Sequence, residues 1–493
     1  MEGKGNMEEN TKKSSGLYLD VDEKPKKASE WIGLALQHVL AMLVACITVP
    51  LIINAAYPDA HLPISATLIS SGIGTLFYIF VTKKRSPVYL SSSFAYISPM
   101  LSALTVGLIG GATGMNYFAL ILGMIFVGVC YVIVALLVKF VGTKWLDKLL
   151  PPIVVGPVII VIGLSLSTSA VSNMTISNGG ESMSYNLVAL LVAVITMIST
   201  ALVSHYGNKT AKLIPFVIGM GIGYLLASIF SVCGYVFDVN YLKLINYEPL
   251  VQNFTCTNAA EWIQAFFNYR LFIPNSEESF IFLRFDEIAK FDWATIGTVA
   301  LLFIPVSFVT ICEHIGDHLN LSNIIHHDIF KEVGLQRTLL GDGVGTAISG
   351  ALCGAANTTY GENVAVVGIT KVASVDVIIV GCIVAVLFGF FTPLTSLLET
   401  IPSCVCGGIS LLLYGFIASS GVKMLINEKI DMSITKNILV TSVILVAGIG
   451  GLVVKFGDVN QPVVQITSIA VSMILGIVLN AILKEKKPEE EKA

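Results

Sequence analysis

The stretch "TTYGENVAVVGITK", from Thr358 to Lys371, carries a carboxylate, Glu362, inside an otherwise apolar part of the chain. A second apolar run, Val375 to Phe391, follows directly. An ionised side chain at the centre of a bilayer costs about 2.5–3.5 kcal/mol even on insertion-based scales. A carboxylate at this depth predicts a functional residue that faces a protected polar cavity rather than lipid.

The composition predicts the class of protein. Of 493 residues, 55% are hydrophobic and only 13% are charged, and the mean hydropathy is +0.81. These values are typical of an all-α polytopic membrane protein, so the lipid bilayer is its first expected partner. The net charge of -4 and the absence of a basic patch give no indication of nucleic-acid binding.

Apolar segments of spanning length recur along the chain in a window of about 19 residues. In the first half they lie at 31–53, 63–81, 88–107, 117–139, 150–169, 186–204 and 213–233. After a polar, aromatic-rich insert they resume at 293–316, 338–353, 358–372, 375–396, 401–421, 436–454 and 463–483. The sequence predicts about fourteen transmembrane segments in two sets of seven.

Charges in the loops predict the orientation. Lys83, Lys84 and Arg85 follow the second segment, whereas the loops at 54–62, 108–116 and 170–185 contain no Lys or Arg. The positive-inside bias then places both termini in the cytoplasm of a plasma-membrane protein. The predicted regions are a disordered cytoplasmic tail (1–30), a first repeat (31–233), an exterior insert (234–292), a second repeat (293–485) and a cytoplasmic tail (486–493). Glycosylation sequons at Asn173 and Asn253 face the exterior in this arrangement but carry little weight.

Two halves of seven segments insert upside-down relative to each other, which is the inverted repeat of secondary transporters. One segment in each half is irregular, the third in the first half and the tenth at the matching place in the second. Their sequences, "YLSSSFAYISPM" (Tyr89 to Met100) and "NTTYGEN" (Asn357 to Asn363), mix polar residues, Gly and Pro. Broken segments at matching places point to a binding site near the midplane, where unpaired backbone groups can face a ligand.

Five ordered motifs carry a resemblance to a known family. They are "LQHVLAM" (Leu36 to Met42), "SSFAYISPM" (Ser92 to Met100), "EHIGDHLNLSNI" (Glu313 to Ile324), "NTTYGENVAVVGITKV" (Asn357 to Val372) and "GGISLLLYG" (Gly407 to Gly415). The chain from about Trp31 to Leu483 resembles the nucleobase/cation symporters, also called nucleobase-ascorbate transporters, and within them the bacterial-type uracil permeases. Only the exterior insert lacks a counterpart. The resemblance implies a core domain of segments 1–4 and 8–11, a gate domain of segments 5–7 and 12–14, short strands in segments 3 and 10, and a homodimer.

The resemblance also implies the site. The two carboxylates expected to bind substrate are Glu313 and Glu362. The other expected substrate contacts are Phe94, Gly361, Ala45 and Tyr414, and the supporting residues are Asn363, Tyr360 and His314. One position departs from the family: where a well-known branch of uracil permeases has a His, four residues after the segment-8 Glu, this chain has Asp317. The proton relay is therefore expected to differ, with Glu313 and Asp317 as the proton-coupling residues.

The chemistry of uracil agrees with two carboxylates. The ring presents N–H donors, which a carboxylate accepts, and carbonyl oxygens, to which backbone amides donate. Purine permeases of the family tend to have Gln where this chain has Glu362, so uracil uptake coupled to protons is the predicted function. A xanthine or urate permease and a sodium-coupled transporter remain the alternatives.

These residues also have alternative interpretations. A single intramembrane Glu can be structural, pairing between helices. His314 and His318 with Glu313 and Asp317 resemble a metal cluster, but their spacing is not the H-E-x-x-H pattern, so neither metal nor cofactor is expected. No set of nucleophile and base indicates an enzyme. A channel or anion exchanger of similar architecture is expected to have neutral or basic residues where this chain has two acids.

Overall fold

The computed structural model of the protein describes residues 16–57, 62–105, 116–180, 185–276, 279–457 and 462–483. The first half of the predicted N-terminal tail and the whole of the predicted C-terminal tail lie outside the described residues. Eight helical stretches within the described ranges are long and apolar enough to cross a membrane, and shorter apolar helices accompany them. The expectation of a helical, polytopic membrane protein is confirmed.

The helices of the first half are long and separated by short loops. They are α1 (Ala28–Ala56), α2 (Ile64–Val81), α3 (Ile97–Leu104), α4 (Tyr117–Val141), α5 (Lys144–Leu149), α6 (Pro152–Ser165), α7 (Ser167–Asn173), α8 (Leu187–Tyr206) and α9 (Pro215–Val236). A strand, β1 (Leu90–Ser92), precedes α3.

The second part begins with three short helices of the insert. They are α10 (Glu248–Phe254), α11 (Ala259–Phe266) and α12 (Phe285–Lys290). The later helices are α13 (Ile296–Ile325), α14 (Ile329–Glu332), α15 (Leu335–Ala351), α16 (Gly361–Thr370), α17 (Val375–Phe390), α18 (Thr392–Glu399), α19 (Ser403–Asn427), α20 (Thr435–Ile449) and α21 (Ser468–Ile482). Three further strands are β2 (Asn357–Thr359), β3 (Val454–Gly457) and β4 (Pro462–Ile466).

The third and tenth predicted segments are broken, as expected. β1 pairs antiparallel with β2, with Leu90 opposite Thr359. Backbone groups outside a helix must find partners when they are buried among apolar segments. The pairing supplies one edge of β1, and at the other edge Leu90 N–H donates to Thr75 Oγ1 at 2.9 Å, while Ser71 Oγ donates to the Leu90 carbonyl at 2.7 Å. The polar residues of these segments thus allow the chain to leave the helix inside the protein.

The helices pack in two groups that each draw on both halves of the chain. In the first group α15 packs on α2 and α4, α17 on α1 and α2, and α13 on α4. In the second group α19 packs between α6 and α8, α9 lies against α8, and α20 contacts α6 and α21. Small residues permit close crossing of helices, because a Cβ on Gly343 of α15 would clash with the Cβ of Tyr131 of α4.

The insert is folded against the first group. Asn268 N–H donates to the carbonyl of Phe390, at the junction of α17 and α18, at 2.9 Å. On the other side, Asn116 Nδ2 donates to the Glu287 carbonyl at 3.1 Å, just before α4. The insert therefore joins the ends of helices that are distant in sequence.

The N-terminal stretch differs from the expectation of a disordered tail over residues 16–27. Leu19 forms a parallel bridge with Val372, and its carbonyl accepts a hydrogen bond from Ala373 N–H at 2.8 Å. Lys24 forms an ion pair of 3.3 Å with Asp376 of α17. These contacts fix the segment to the link between α16 and α17.

The last predicted segment, 463–483, is not helical throughout. Its first residues form β4, which pairs antiparallel with β3 and places Val454 opposite Ile466. Helix α21 begins only at Ser468. Hydropathy cannot separate a short apolar strand from the start of a helix, and the β-branched residues "VVQI" after Pro462 favour the strand.

Candidate functional site

The first turn of α16 lies at the point where β2 ends. Gly361 begins the helix and Glu362 occupies its first turn. Gly361 is exposed and Glu362 is half-buried, so the first turn of the helix is accessible to a ligand. A carboxylate in this position lies at the positive end of the helix dipole.

Two further carboxylates approach from α13. Glu313 and Asp317 are one helical turn apart, so they share a face of the helix, and both are half-buried. Thr359 of β2 donates its hydroxyl to Asp317 Oδ2 at 3.0 Å. A Cβ on Gly361 would lie 3.5 Å from Asp317 Oδ1. The structure thus brings the face of α13 that carries both acids to the strand end and the first turn of α16.

The three carboxylates have no basic partner. Within the described ranges, none of Glu313, Asp317 and Glu362 forms a salt bridge with Lys, Arg or His. Like charges in a partly desolvated site repel each other unless protons or donor groups compensate them. The cluster is therefore suited to bind a proton and a ligand with N–H donors.

Two of the expected site residues, Phe94 and Tyr414, are in contact with each other. The rings of Phe94, just after β1, and Tyr414 of α19 meet edge to face with their centroids 5.6 Å apart. Both are buried. This contact joins the two helix groups. Ala45 of α1 is buried at β1, where Ser92 Oγ donates to the Ala45 carbonyl at 3.4 Å and to the Cys46 carbonyl at 2.8 Å.

The expected supporting residues divide into two kinds. Tyr360 and Asn363 are buried beside Glu362. Asn363 Nδ2 is 3.2 Å from His38 Nδ1 and 3.4 Å from the His38 carbonyl, which ties α16 to α1. His314 instead turns away from the acids of its own helix, with Nδ1 2.7 Å from Asp342 Oδ2 of α15.

Asp342 was missed by the sequence analysis. It is fully buried, and it lies within the segment predicted at 338–353. The rule that singled out Glu362, a carboxylate inside an apolar segment, also applies to Asp342. The role of Thr359 as a partner of Asp317 had no signal in the sequence, because it depends on how β2 meets α13.

The chain is similar in sequence to known proteins over most of its length. A family described as the Permease family matches residues 29–457. The uracil permease of Bacillus caldolyticus is 38% identical over 465 residues, which cover 94% of this chain and 94% of the relative. The uracil permease of Bacillus subtilis (strain 168) is 37% identical and the match covers 96% of this chain and 97% of the relative.

A solved structure shares the fold. The murine anion transporter Slc26a9, in its inward-facing state, superposes with a TM-score of 0.59 and 9% sequence identity. The match covers 93% of this chain and 68% of that chain. At this identity the likeness concerns the fold alone.

Proposed function

Because the chain belongs to the permease family, we propose that it is a secondary active transporter that takes up uracil together with protons. The observation that carries this proposal is the cluster of Glu313, Asp317 and Glu362 at the crossing of two broken segments. These carboxylates are partly exposed and form no ion pair with a basic residue in the part of the chain that the structure describes. Matched relatives over nearly the whole chain are uracil permeases, which supports the choice of substrate.

The proposed substrate fits the donors and acceptors of this site. The carboxylates of Glu313 and Glu362 accept hydrogen bonds from the two N–H groups of uracil. Backbone N–H groups at Phe94 and Gly361 donate to its carbonyl oxygens. The rings of Phe94 and Tyr414 supply an apolar wall for the flat base. Ala45 packs nearby, and Asn363 and Tyr360 hold the first turn of α16.

The proposed architecture is the inverted repeat of seven and seven segments. The first helix group corresponds to the core domain and the second to the gate domain, which move relative to each other during alternating access. We propose a homodimer in the plasma membrane, with both termini in the cytoplasm because the basic loops lie on that side.

A purine permease of the same family is the second candidate. Glu362 argues against it, since a carboxylate offers no donor to the purine ring. A sodium-coupled transporter is the third candidate, and only a coupling measurement separates it from proton coupling. An anion transporter is disfavoured because Glu362 places negative charge at the helix N-terminus where an anion would bind.

The test is uptake of radiolabelled uracil by proteoliposomes that contain the purified protein. We expect accumulation when the outside is acidic, competition by unlabelled uracil, and no competition by xanthine or urate. Uptake that needs sodium, or that xanthine blocks as well as uracil does, would contradict the proposal.

Replacing Gly361 with Leu is expected to abolish uracil binding. A side chain at this position enters the space in front of the first turn of α16, where backbone and ligand meet. Gly361→Ala is the matched control, because its Cβ makes only an ordinary 3.5 Å contact with Asp317 Oδ1. Titration calorimetry on detergent-solubilised protein measures both variants. Normal uracil binding by folded Gly361→Leu protein would contradict a backbone-lined site.

A further inference from the structure

Behind the proposed substrate site lies a chain of five polar side chains that the proposed function does not use. Its members are buried in the first helix group, with 0% of their surface exposed: Asp342, His314, His318, Tyr78 and Ser86. Burying polar groups this deep is costly unless they find hydrogen-bond partners.

Side-chain hydrogen bonds connect three of them, His318, Tyr78 and Ser86, in a defined order. His318 Nδ1 lies 2.7 Å from the His314 carbonyl, and His318 Nε2 lies 2.6 Å from Tyr78 OH. The Tyr78 hydroxyl is 2.7 Å from Ser86 Oγ. Because a carbonyl only accepts, His318 Nδ1 carries a proton. Neutral His318 then accepts from Tyr78 through Nε2, and Tyr78 accepts from Ser86.

His314 lies between His318 and Asp342. The imidazole rings of His314 and His318 have centroids 4.0 Å apart and are inclined by 31°. Two protonated rings at this distance repel each other by about 4 kcal/mol at an effective dielectric constant of 20. The two histidines therefore hold at most one extra proton between them.

This extra proton compensates the negative charge of Asp342. It is the only fully buried Asp or Glu in the part of the chain that the structure describes, and its single ion-pair contact is with His314 Nδ1 at 2.7 Å. A buried carboxylate that lacks a compensating charge costs several kcal/mol. Among the described residues, Asp342 Oδ1 and His314 Nε2 find no hydrogen-bond partner. Asp342, His314 and His318 are therefore neutral as a group when one of the two rings carries the extra proton.

The hydrogen-bonded side chains run toward one end of the protein. His314 follows Glu313 directly in α13, and His318 lies one turn closer to the end of that helix. Ser86 follows Lys83, Lys84 and Arg85, which are exposed. In the proposed orientation this basic loop faces the cytoplasm.

We propose that Asp342, His314 and His318 form a second proton-binding site, from which Tyr78 and Ser86 conduct a proton toward the cytoplasm. The inference rests on the proposed proton-coupled transport. The extra proton on His318 Nε2 passes to the Tyr78 oxygen, Tyr78 passes its own hydroxyl proton to Ser86 Oγ, and Ser86 gives its hydroxyl proton to water that enters beside the exposed basic loop. Each hydroxyl keeps one proton. The hydrogen-bond order from Ser86 to Tyr78 to His318 is the order that such a release leaves behind.

The test compares Tyr78→Phe with Tyr131→Phe in proteoliposomes. Tyr131 is equally buried, but its hydroxyl donates to Thr310 Oγ1 at 2.9 Å, outside the chain. Net uptake driven by a pH gradient requires proton release, whereas exchange of labelled for unlabelled uracil by the proton-loaded carrier does not. We expect net uptake by Tyr78→Phe to slow by about tenfold or more, with exchange close to that of the parent, and both rates unchanged in Tyr131→Phe.

The controls separate this inference from the proposed function. A parent protein that fails to concentrate uracil in a pH gradient would overturn the proposed function. If the parent does concentrate uracil, equal net uptake by the two variants would overturn the proton path alone. A parallel fall of net uptake and exchange in Tyr78→Phe would show a structural role and would also overturn it.

Discussion

Uracil binding is expected to weaken about 100-fold when Glu362 is replaced by Gln, which corresponds to roughly 3 kcal/mol. The carboxylate offers only acceptors to the N–H groups of uracil, whereas one end of the amide is itself a donor. The side chains have nearly the same size, and Glu362 is half-buried without an ion-pair partner, so the fold is expected to persist. Titration calorimetry and initial uptake rates measure the effect.

Glu428→Gln provides the matched control. The same chemical change is made there on an exposed residue at the end of α19, and uracil binding should stay unchanged. Unaltered affinity in Glu362→Gln would mean that Glu362 does not touch the base. Xanthine binding that appears only in Glu362→Gln would support the choice of a pyrimidine, because an amide can donate to a purine ring.

The sequence predicted the broken segments because their cause is local. Ser, Thr, Asn and Gly replace apolar residues over a few positions, and a chain that leaves the helix inside a membrane needs such groups. Glu362 and Glu313 are also predictable from the sequence, since ionisable residues are rare in apolar segments. The resemblance then supplied Phe94 and Tyr414, which the structure places in contact across the two helix groups.

Other features could not be predicted because they depend on packing between distant parts of the chain. The hydrogen bond from Thr359 to Asp317 requires the end of β2 to lie beside α13 at the level of Asp317. The docking of Leu19 beside Val372 requires the link after α16 to offer free backbone groups, which no window of hydropathy shows. The residues of β4 predict part of a membrane-spanning helix because their hydropathy fits a short strand and a helix equally well.

Glu313→Gln is expected to abolish the accumulation of uracil in a pH gradient. Uracil is neutral, so uphill uptake needs a co-transported ion, and a gradient of one pH unit supplies about 1.4 kcal/mol for each proton. One proton per uracil therefore allows roughly tenfold accumulation by the parent. Gln resembles a permanently protonated Glu313, so the variant can bind and exchange uracil but cannot load and release a proton. Its accumulation ratio should stay near one.

Accumulation is measured in vesicles with an acidic exterior, with and without a protonophore and with sodium or potassium as the salt. The parent should lose its gradient of uracil when the protonophore is added and should not respond to sodium. Gradient-driven accumulation that survives in Glu313→Gln would move the proton to Asp317, one turn along α13 and held by Thr359. Binding of uracil and of the proton must favour each other by the same factor, as linkage requires. Uracil affinity of the parent should therefore fall as the pH rises, while that of Glu313→Gln should not, and a pH-dependent affinity in the variant would point to the same reassignment.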